Sequence, residues 1–282
     1  MTVLEGIQKS TEFLAKKDVE SPRLQAELLL AHVLKLPRMK LYLSFERALT
    51  EPETNTFRDL VKRRAQREPL QHITGSTSFC GLEIAVNRNV LVPRPETEIL
   101  AELGWEFLNQ LAAESPPALD FGTGSGCIAI ALAVKCPNAK VIALDVSPEA
   151  LDTARQNAAR NNVAEKVDFL EGNGFAALPN GFHFDLIISN PPYIATAEIA
   201  SLQPEVRDYD PRGALDGGAD GLDFYRRFAI EARKFLSPEG KIMLEFGDGQ
   251  GDSIRKIFEE QKWIVEAVRE DYTQRQRILI AK

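Results

Sequence analysis

The hydrophobic positions of the first 75 residues recur at helical spacing. Val3, Ile7 and Leu14 fall on one helical face. Ser21 is expected to cap a helix that has Pro22 at its first position, and Thr50-Glu51-Pro52-Glu53 has the spacing of a capping box, so both predict helix starts. Residues 1–75 are therefore expected to form a separate domain of about four short helices.

After residue 75 the hydrophobic pattern changes to strict alternation, which is typical of a strand. The apolar positions lie on both sides of the turn-prone residues Asn87-Arg88-Asn89. Those positions are Leu82, Ile84 and Val86 before the turn, and Val90 and Val92 after it. The pattern predicts a β-hairpin linker over residues 76–93, with its turn at residues 87–89.

From residue 94 onward, short apolar runs alternate with amphipathic helices, the first helix starting within Arg94–Glu98. Strands that alternate with helices predict an α/β domain over residues 94–282, with a parallel sheet covered by helices on both faces. The predicted strands are Ala118–Phe121, Val141–Val146, Val167–Leu170, Leu186–Ser189, Ile242–Phe246, Ile264–Val268 and Arg277–Ala281.

Charge and composition exclude several classes of protein. The 282 residues carry a net charge of −7 and have a pI of about 5.2, which argues against a basic surface that binds nucleic acid. Residues 1–75 differ from the rest, because their 13 basic and 10 acidic residues give a net charge of +3. The longest apolar run, Cys127–Val134, is far short of the roughly 20 residues of a membrane span. Glu5 and Glu12 interrupt the start of the chain, so no secretory signal is expected and the cytosol is the expected location. The cysteines and histidines form no CxxC or HExxH pattern, so neither a disulfide framework nor a metal site is expected.

Two charged segments have more than one interpretation. Lys62-Arg63-Arg64 with Arg67 is typical of a solvated helix face, the alternative being a contact to a phosphate or a partner. The acidic segment Glu198–Asp210 fits either a mobile loop over a substrate or a plain surface connector.

A glycine-rich loop follows the first strand of the α/β domain. Asp120-Phe121-Gly122-Thr123-Gly124-Ser125-Gly126 opens the next helix, where glycines let a ligand approach the backbone closely. Such a loop lies at the carboxyl ends of the strands, where ligands bind in doubly wound sheets. The G-x-G-x-G spacing differs from the dinucleotide fingerprint, and no P-loop is present in the sequence. A tight strand-to-helix turn without a ligand is the alternative.

The next strand ends at Asp145, about 20 residues beyond the glycines. A carboxylate there can accept hydrogen bonds from both hydroxyls of a ribose, and it disfavours a 2′-phosphate. Replacement of Asp145 by alanine is expected to weaken the binding of a nucleoside cofactor at least about tenfold.

A second candidate site follows the strand Leu186–Ser189. Asn190-Pro191-Pro192-Tyr193 is stiffened because each proline fixes its own φ angle and Pro192 also restricts Pro191. The Asn190 side-chain oxygen and the Pro191 carbonyl can accept both N–H bonds of a planar NH₂ group, while Tyr193 stacks on its plane. The alternative is a strand-ending turn with a packed tyrosine.

The glycine loop followed by a strand ending in aspartate resembles the class I S-adenosylmethionine-dependent methyltransferases. This resemblance implies a seven-stranded Rossmann-like methyltransferase sheet, with S-adenosylmethionine as cofactor, S-adenosylhomocysteine as product and no metal. It implies that the loop approaches the methionine and ribose portions, that Asp145 holds the ribose, and that the turn Gly172-Asn173-Gly174-Phe175 frames the adenine. The implied cofactor-binding residues are Gly122, Thr123, Gly124, Ser125, Gly126, Asp145, Asn173, Gly174, Phe175 and Asn190. The family usually has aspartate where Asn173 stands.

Asn-Pro-Pro-Tyr in this superfamily marks methylation of a planar NH₂ nitrogen, either on a nucleobase or on glutamine. Further motifs resemble the release-factor glutamine N5-methyltransferases (the PrmC or HemK family) nearly end to end. These motifs are Pro69–Gly75, Val92–Glu98, Asp210–Leu215 and Gly217–Leu222. The resemblance implies methylation of the glutamine in the Gly-Gly-Gln motif of class I peptide-chain release factors, with Asn190, Pro191, Pro192 and Tyr193 as catalytic residues. It also implies that residues 1–75 help dock the release factor and that Arg94–Glu98 lies near the methionine end of the cofactor or the substrate entrance. We expect a monomer with no direct nucleic-acid partner and no membrane contact.

Three alternatives remain open from the sequence. The same tetrapeptide chemistry can act on the N6 of a flipped adenine in DNA or RNA, although no large basic recognition region is evident. A glutamine methyltransferase acting on a large-subunit ribosomal protein is a closer alternative. A noncatalytic protein that binds S-adenosylmethionine without turnover is the third.

Overall fold

The computed structural model describes residues 1–178 and 181–282. The described chain divides into two compact units. Met1–Gly75 and Gln203–Tyr209 form the first unit, and Ser76–Leu202 and Asp210–Lys282 form the second. The predicted hairpin segment falls within the second unit. Within the described residues, no helix combines the length and the apolar character that crossing a membrane requires.

The first unit is helical, as the sequence predicts. Two of its helix starts carry complete capping boxes, formed by Thr2 with Glu5 and by Thr50 with Glu53. Ser21 precedes a helix that has proline at its start, but the Ser21 side chain makes no capping bond, so that half of the prediction is wrong. The helices described within residues 1–75 are α1 (Val3–Ala15), α2 (Pro22–Leu34), α3 (Arg38–Leu41), α4 (Glu51–Ala65) and α5 (Leu70–Thr74).

Within the basic cluster at the end of α4, Lys62 is exposed as predicted, but Arg64 and Arg67 are not part of a solvated face. Arg64 is only 4% exposed, and its Nη2 donates to Glu205 Oε1 at 2.7 Å. Arg67 donates from Nε and Nη2 to the two oxygens of the same carboxylate, both at 2.6 Å. Glu205 lies on α9 (Pro204–Arg207), within the formerly ambiguous acidic segment. Residues 203–209 therefore belong to the first unit and bind α4.

A short hairpin opens the second unit, but its turn is not where the sequence pattern places it. Strands β1 (Ser76–Phe79) and β2 (Leu82–Ala85) pair antiparallel, with Phe79 opposite Leu82. The turn is Cys80-Gly81, whose φ angles of 51° and 77° are both positive, as two-residue hairpins require. Residues 87–89 do form a turn, in which Asn87 Oδ1 accepts from Asn89 N. No strand follows it, although Val90 and Val92 are buried.

A seven-stranded sheet forms the centre of the second unit, in the order β5-β4-β3-β6-β7-β9-β8. Five of its strands are parallel, and β9 runs antiparallel to both of its neighbours. The expectation of a parallel sheet is therefore wrong for β9 only, because a short turn joins β9 to β8 and consecutive strands so joined must be antiparallel. The strands are β3 (Pro117–Phe121), β4 (Lys140–Asp145), β5 (Val167–Glu171), β6 (Phe184–Ser189), β7 (Leu236–Glu245), β8 (Val265–Glu270) and β9 (Gln276–Ala281).

Two hydrophobic cores cover the two faces of this sheet. Successive side chains of a strand point to opposite faces, so Ile188 enters one core and Ile187 the other. The helices of the second unit are α6 (Pro95–Gln110), α7 (Cys127–Lys135), α8 (Pro148–Arg160), α10 (Asp223–Glu231) and α11 (Gly251–Glu260). Short 3₁₀ turns span Gly174–Ala177, Thr196–Ser201, Arg212–Ala214 and Ala232–Phe235. The α/β fold predicted from the alternating pattern is confirmed.

The chain order fixes where a ligand can enter the sheet. From β3 the chain runs outward through β4 to β5, then crosses back to β6 on the other side of β3. Strand order reverses between β3 and β6, and crevices form at the carboxyl ends of strands at such a point. The glycine loop follows β3 and Asn190 follows β6, so the sheet brings the two predicted sites together.

Candidate active site

A cavity of about 440 Å³ lies at this edge of the sheet. This volume is in the range of small-molecule and cofactor sites. The sequence-predicted residues in its wall are Gly122, Thr123, Gly124, Ser125, Asp145, Asn173, Gly174, Asn190, Pro191 and Pro192. Most of the predicted site residues therefore surround one cavity.

The glycine loop presents its backbone to the cavity. Gly122 and Gly124 have φ angles of 75° and 54°, and a Cβ built on either one meets no atom within 4 Å. The buried Asp120 carboxylate stabilises the loop through two hydrogen bonds. Its Oδ2 accepts from Thr123 Oγ1 at 2.6 Å and from Ala129 N at 3.0 Å. Burial raises the pKa of Asp120 to about 7. The loop is thus a preformed cradle with open space in front of its glycines.

Gly126 has a different function from the other two loop glycines. Its φ is 80°, and a Cβ there would lie 3.0 Å from Ala154 Cβ on α8 and 3.2 Å from Ile130 Cδ1. It lies outside the cavity wall. Gly126 therefore permits close packing of the loop against α8, and the structure gives no support to a cofactor contact there.

This difference predicts opposite outcomes for two alanine variants. Gly126→Ala is expected to lower the free energy of unfolding by about 2 kcal/mol, through backbone strain and the close approach to Ala154. Gly122→Ala is expected to cost about 1 kcal/mol of stability but to weaken S-adenosylmethionine binding about tenfold, because its Cβ enters the cavity. Urea unfolding and isothermal calorimetry measure both quantities. Equal cofactor affinities in the two variants would contradict this division.

Asp145 ends β4 with its carboxylate in the cavity wall. Its Oδ2 accepts from Gly124 N at 2.8 Å and its Oδ1 accepts from Ser147 N at 2.9 Å. A carboxylate has about four acceptor positions, so about two remain for ligand hydroxyls. The neighbouring Val146 is 65% exposed and also lines the cavity. An anionic acceptor beside an exposed apolar side chain suits a ribose and its attached base.

The turn after β5 is only partly as predicted. Gly172, Asn173 and Gly174 line the cavity, and Gly172 N donates to the Asp145 carbonyl at 2.9 Å. The Phe175 ring is 3% exposed and is packed in the core against three other phenylalanines, so the structure does not place it at the cavity. Those phenylalanines are Phe121, Phe228 and Phe235.

The Asn190 amide is held in place on one side. Its Nδ2 donates to Thr97 Oγ1, the hydroxyl of a buried residue on α6, at 3.0 Å. Pro191 and Pro192 continue the cavity wall. Among the described residues, none donates a hydrogen bond to the Asn190 oxygen Oδ1, so this oxygen can accept one from another molecule.

Tyr193 occupies a different environment from the rest of its tetrapeptide. Its ring lies outside the cavity wall and beside Gly247, where a Cβ would come within 3.0 Å of Tyr193 Cδ2. Its carbonyl accepts from Gln250 Nε2 at 2.9 Å. Burial raises the pKa of its hydroxyl to about 12, so the phenol stays protonated. Stacking of Tyr193 on a substrate remains a prediction.

Several cavity residues have no counterpart among the predicted ligands. Some lie in the segment before α6 that the hydrophobic alternation assigned to a hairpin, one lies on α6, and others lie in the Asp210–Leu215 and α10 segments. They are Asn89, Val90, Leu91, Pro93, Thr97, Pro211, Gly213, Ala214, Phe224 and Arg227. An ion pair joins two of these segments, since Arg94 Nη2 lies 2.7 Å from Asp210 Oδ2. Burial raises the pKa of Asp210 to about 6.

The Gly217–Leu222 motif packs closely against the backbone of the tetrapeptide Asn190–Tyr193. A Cβ on Gly217 would lie 2.9 Å from the Pro192 carbonyl oxygen, and one on Gly221 would overlap the Tyr193 carbonyl oxygen. Gly217 N also donates to the Ile194 carbonyl at 2.8 Å. These close approaches leave no room for side chains, which explains glycine at both positions.

The residues around the cavity fit S-adenosylmethionine. The open cradle at Gly122 and Gly124 leaves space that any side chain would fill, and Asp145 offers acceptors for a ribose. On the β6 side, Asn190 offers an oxygen beside two rigid prolines. The arrangement can therefore hold a nucleoside cofactor next to a group that orients an NH₂.

Comparisons with known proteins identify relatives of this chain. A family model described as the PrmC N-terminal domain matches residues 5–75, and one described as a methyltransferase small domain matches residues 104–203. The chain is 46% identical over 257 residues to a release factor glutamine methyltransferase of Geobacter sulfurreducens, covering 91% of this chain and 88% of the relative. It is 44% identical over 262 residues to the enzyme of that name in Chlorobaculum tepidum, covering 91% and 89%. A solved methyltransferase of Pyrococcus furiosus shares the fold, with a TM-score of 0.53, 24% identity, and coverage of 78% of this chain and 97% of that one.

Proposed function

Because the chain belongs to the release factor glutamine methyltransferase family, we propose that it transfers a methyl group from S-adenosylmethionine to a glutamine of peptide-chain release factors. The acceptor is the side-chain amide nitrogen, N5, of the glutamine in the Gly-Gly-Gln motif of class I release factors. The product of the cofactor is S-adenosylhomocysteine, and the modification adjusts translation termination.

The observation that carries this proposal is the position of Asn190 in the cavity wall, with its Nδ2 already bound to Thr97. An amide nitrogen is a poor nucleophile because its lone pair is delocalised into the carbonyl group. Acceptors at Asn190 Oδ1 and the Pro191 carbonyl hold both N–H bonds of the substrate and turn the lone pair toward the methyl donor. Alignment of this kind supplies a large part of catalysis when the reacting groups are held in place.

The other side of the cavity holds the cofactor. S-adenosylmethionine, when bound, supplies a methyl group that is already activated by the sulfonium. We assign the backbone of Gly122, Thr123, Gly124 and Ser125 to its methionine and ribose portions and the Asp145 carboxylate to the ribose hydroxyls. The turn at Gly172–Gly174 borders the adenine. The scheme uses no metal and no dedicated general base.

We assign different functions to the two parts of the chain. We assign residues 94–282 to catalysis, with residues 76–93 as the linker that precedes this domain. We assign residues 1–75, whose net charge is +3 from 13 basic and 10 acidic residues, to docking of the release factor. The protein acts as a monomer in the cytoplasm, where translation terminates.

Mass spectrometry of substrates after incubation tests the proposal. An unmethylated class I release factor, a large-subunit ribosomal protein fraction and duplex DNA are each incubated with this protein and S-adenosylmethionine. One added methyl group on the Gly-Gly-Gln glutamine is the expected result. A methyl group on the ribosomal protein or on adenine alone overturns the substrate assignment, and binding of S-adenosylmethionine without any transfer overturns the enzymatic one.

A further inference from the structure

One fully buried amide on α8 joins the glycine loop to the end of the hairpin. Asn157 is 0% exposed. Its Nδ2 donates to the Ser125 carbonyl at 2.9 Å and to the Ala85 carbonyl at 3.0 Å, and its Oδ1 accepts from Ala85 N at 2.7 Å. An asparagine amide has two N–H donors, so both are used, one on each segment. The side chain therefore ties two segments that are 40 positions apart in the chain, residues 85 and 125.

The bond to Ser125 fixes the orientation of a peptide group in the glycine loop. The peptide that joins Ser125 to Gly126 is held at both ends, because Gly126 N donates to the Thr123 carbonyl at 2.9 Å while the Ser125 carbonyl accepts from Asn157. A peptide group is planar, so bonds at its two ends restrict rotation of the whole group. Ser125 lines the cavity. The course of the loop backbone along the cavity therefore depends on Asn157.

The bonds to Ala85 hold the start of the segment 86–93, which supplies four residues of the cavity wall. One turn earlier on α8, Thr153 Oγ1 accepts from Asn87 Nδ2 at 3.1 Å. Residues four apart on a helix share a face, so α8 holds this segment at two points. Asn87 Oδ1 in turn accepts from the backbone N of the first wall residue at 2.8 Å. The four wall residues are Asn89, Val90, Leu91 and Pro93.

We infer that Asn157 is a positioning residue for S-adenosylmethionine, which holds the glycine loop and the segment 86–93 in the relative positions that the cofactor requires. This inference rests on the proposed binding of that cofactor in the cavity. Asparagine is a poor helix former, and burial of an amide is unfavourable unless its hydrogen bonds are made, so helix stability does not favour it in α8. Asn157 itself lies outside the cavity wall and acts through Ser125 and Ala85.

Calorimetry and steady-state kinetics on the full-length protein test this role. Asn157→Ala is expected to raise the Kd and the KM of S-adenosylmethionine on the order of tenfold, because the hydrogen bonds that hold two wall segments are lost. At saturating cofactor, kcat is expected to stay within about threefold of wild type, since Asn190 keeps its bond to Thr97. A role in folding alone would make the protein easier to unfold in urea and leave both constants unchanged.

Asn161→Ala is the matched control at the end of the same helix. The Asn161 Nδ2 donates to the Glu83 carbonyl at 3.0 Å and to the Asn157 carbonyl at 2.9 Å, so this amide also binds the hairpin. Within the described residues it makes no bond to the glycine loop. The Kd of S-adenosylmethionine is expected to stay within about twofold of wild type. An equal loss of affinity in the two variants would overturn the role assigned to the Ser125 bond.

Hydrogen exchange in the wild type gives a test that needs no variant. If the contact at Ala85 supports cofactor binding, cofactor binding stabilises that contact in return. Saturating S-adenosylmethionine is expected to slow exchange of the Ala85 amide at least about threefold more than exchange of the Trp263 amide. Trp263 N donates to the Phe258 carbonyl at 3.1 Å, away from the cavity wall, and reports the stability of the rest of the unit.

The outcomes separate this inference from the proposed function. The inference is overturned if folded Asn157→Ala binds S-adenosylmethionine as tightly as the wild type, or if the cofactor slows exchange of the Ala85 and Trp263 amides equally. If Asn157→Ala does not fold, the exchange measurement decides. A wild-type protein that binds no S-adenosylmethionine would instead refute the proposed function.

Discussion

Replacement of Asn190 by alanine is expected to lower kcat for release-factor methylation on the order of 1000-fold. Alanine removes the oxygen that turns the substrate amide, and it leaves Thr97 without the NH₂ group it now accepts from. Loss of one preorganised group in an active site has effects of this size. Mass-spectrometric initial rates on an unmethylated release factor measure the loss.

Two controls separate catalysis from folding in that experiment. The Kd of S-adenosylmethionine, from calorimetry, is expected to change less than about tenfold, because at most one neutral hydrogen bond to the cofactor is lost. Asn109→Ala removes an exposed asparagine that bonds only the Lys135 carbonyl in the described structure, and it is expected to leave kcat unchanged. Near-normal turnover in Asn190→Ala would remove the amide-orienting role.

Replacement of Asp145 by alanine is expected to weaken S-adenosylmethionine binding at least tenfold, and on the order of 100-fold if both ribose hydroxyls are bound. Each charge-assisted hydrogen bond contributes about 1.5–3 kcal/mol. The variant also frees Gly124 N, which now donates to Asp145 Oδ2 at 2.8 Å, so the loop loses a brace. Calorimetric titration with S-adenosylmethionine gives the Kd.

Two further variants, Asp145→Asn and Asp152→Ala, serve as comparisons for Asp145→Ala. The asparagine keeps one acceptor of similar size, so it is expected to recover part of the affinity. Asp152 lies on α8 with 71% of its side chain exposed, so its alanine variant is expected to bind like the wild type. An Asp145→Ala protein that binds S-adenosylmethionine as tightly as the wild type would disprove the ribose assignment.

The sequence predicts the sheet well because strand pattern and connection length leave few choices. Each strand predicted for the α/β domain overlaps an observed one, and the carboxyl ends of β3 and β6 meet where the alternation of strands and helices requires. The glycine loop, Asp145 and Asn190 reach one cavity for that topological reason.

The remaining errors come from contacts between residues distant in sequence. Alternation alone cannot distinguish the Cys80-Gly81 turn from residues 87–89, since both contain residues that tolerate turns. Nothing local shows that the Phe175 ring packs into the core. The Asn190–Thr97 hydrogen bond also escapes sequence analysis, because its two residues lie 93 positions apart in the chain.

The burial of Arg64 likewise could not be predicted from the sequence. In a run of basic residues it looks solvent-exposed, yet Glu205, separated from it by 141 positions in sequence, neutralises it at 2.7 Å. Only the folded chain brings that carboxylate to α4.

The pairing of Arg64 with Glu205 has a consequence for the order of events during synthesis. Residues 1–75 leave the ribosome before α9, so their bundle lacks α9 until another 141 positions beyond Arg64 have been translated. At about 5–20 residues per second this delay is roughly 7–30 s. During that interval the Arg64 guanidinium has no carboxylate from α9, so the nascent bundle stays partly hydrated at α4. The helical unit of residues 1–75 is thus translated well before the segment Gln203–Tyr209 that completes it.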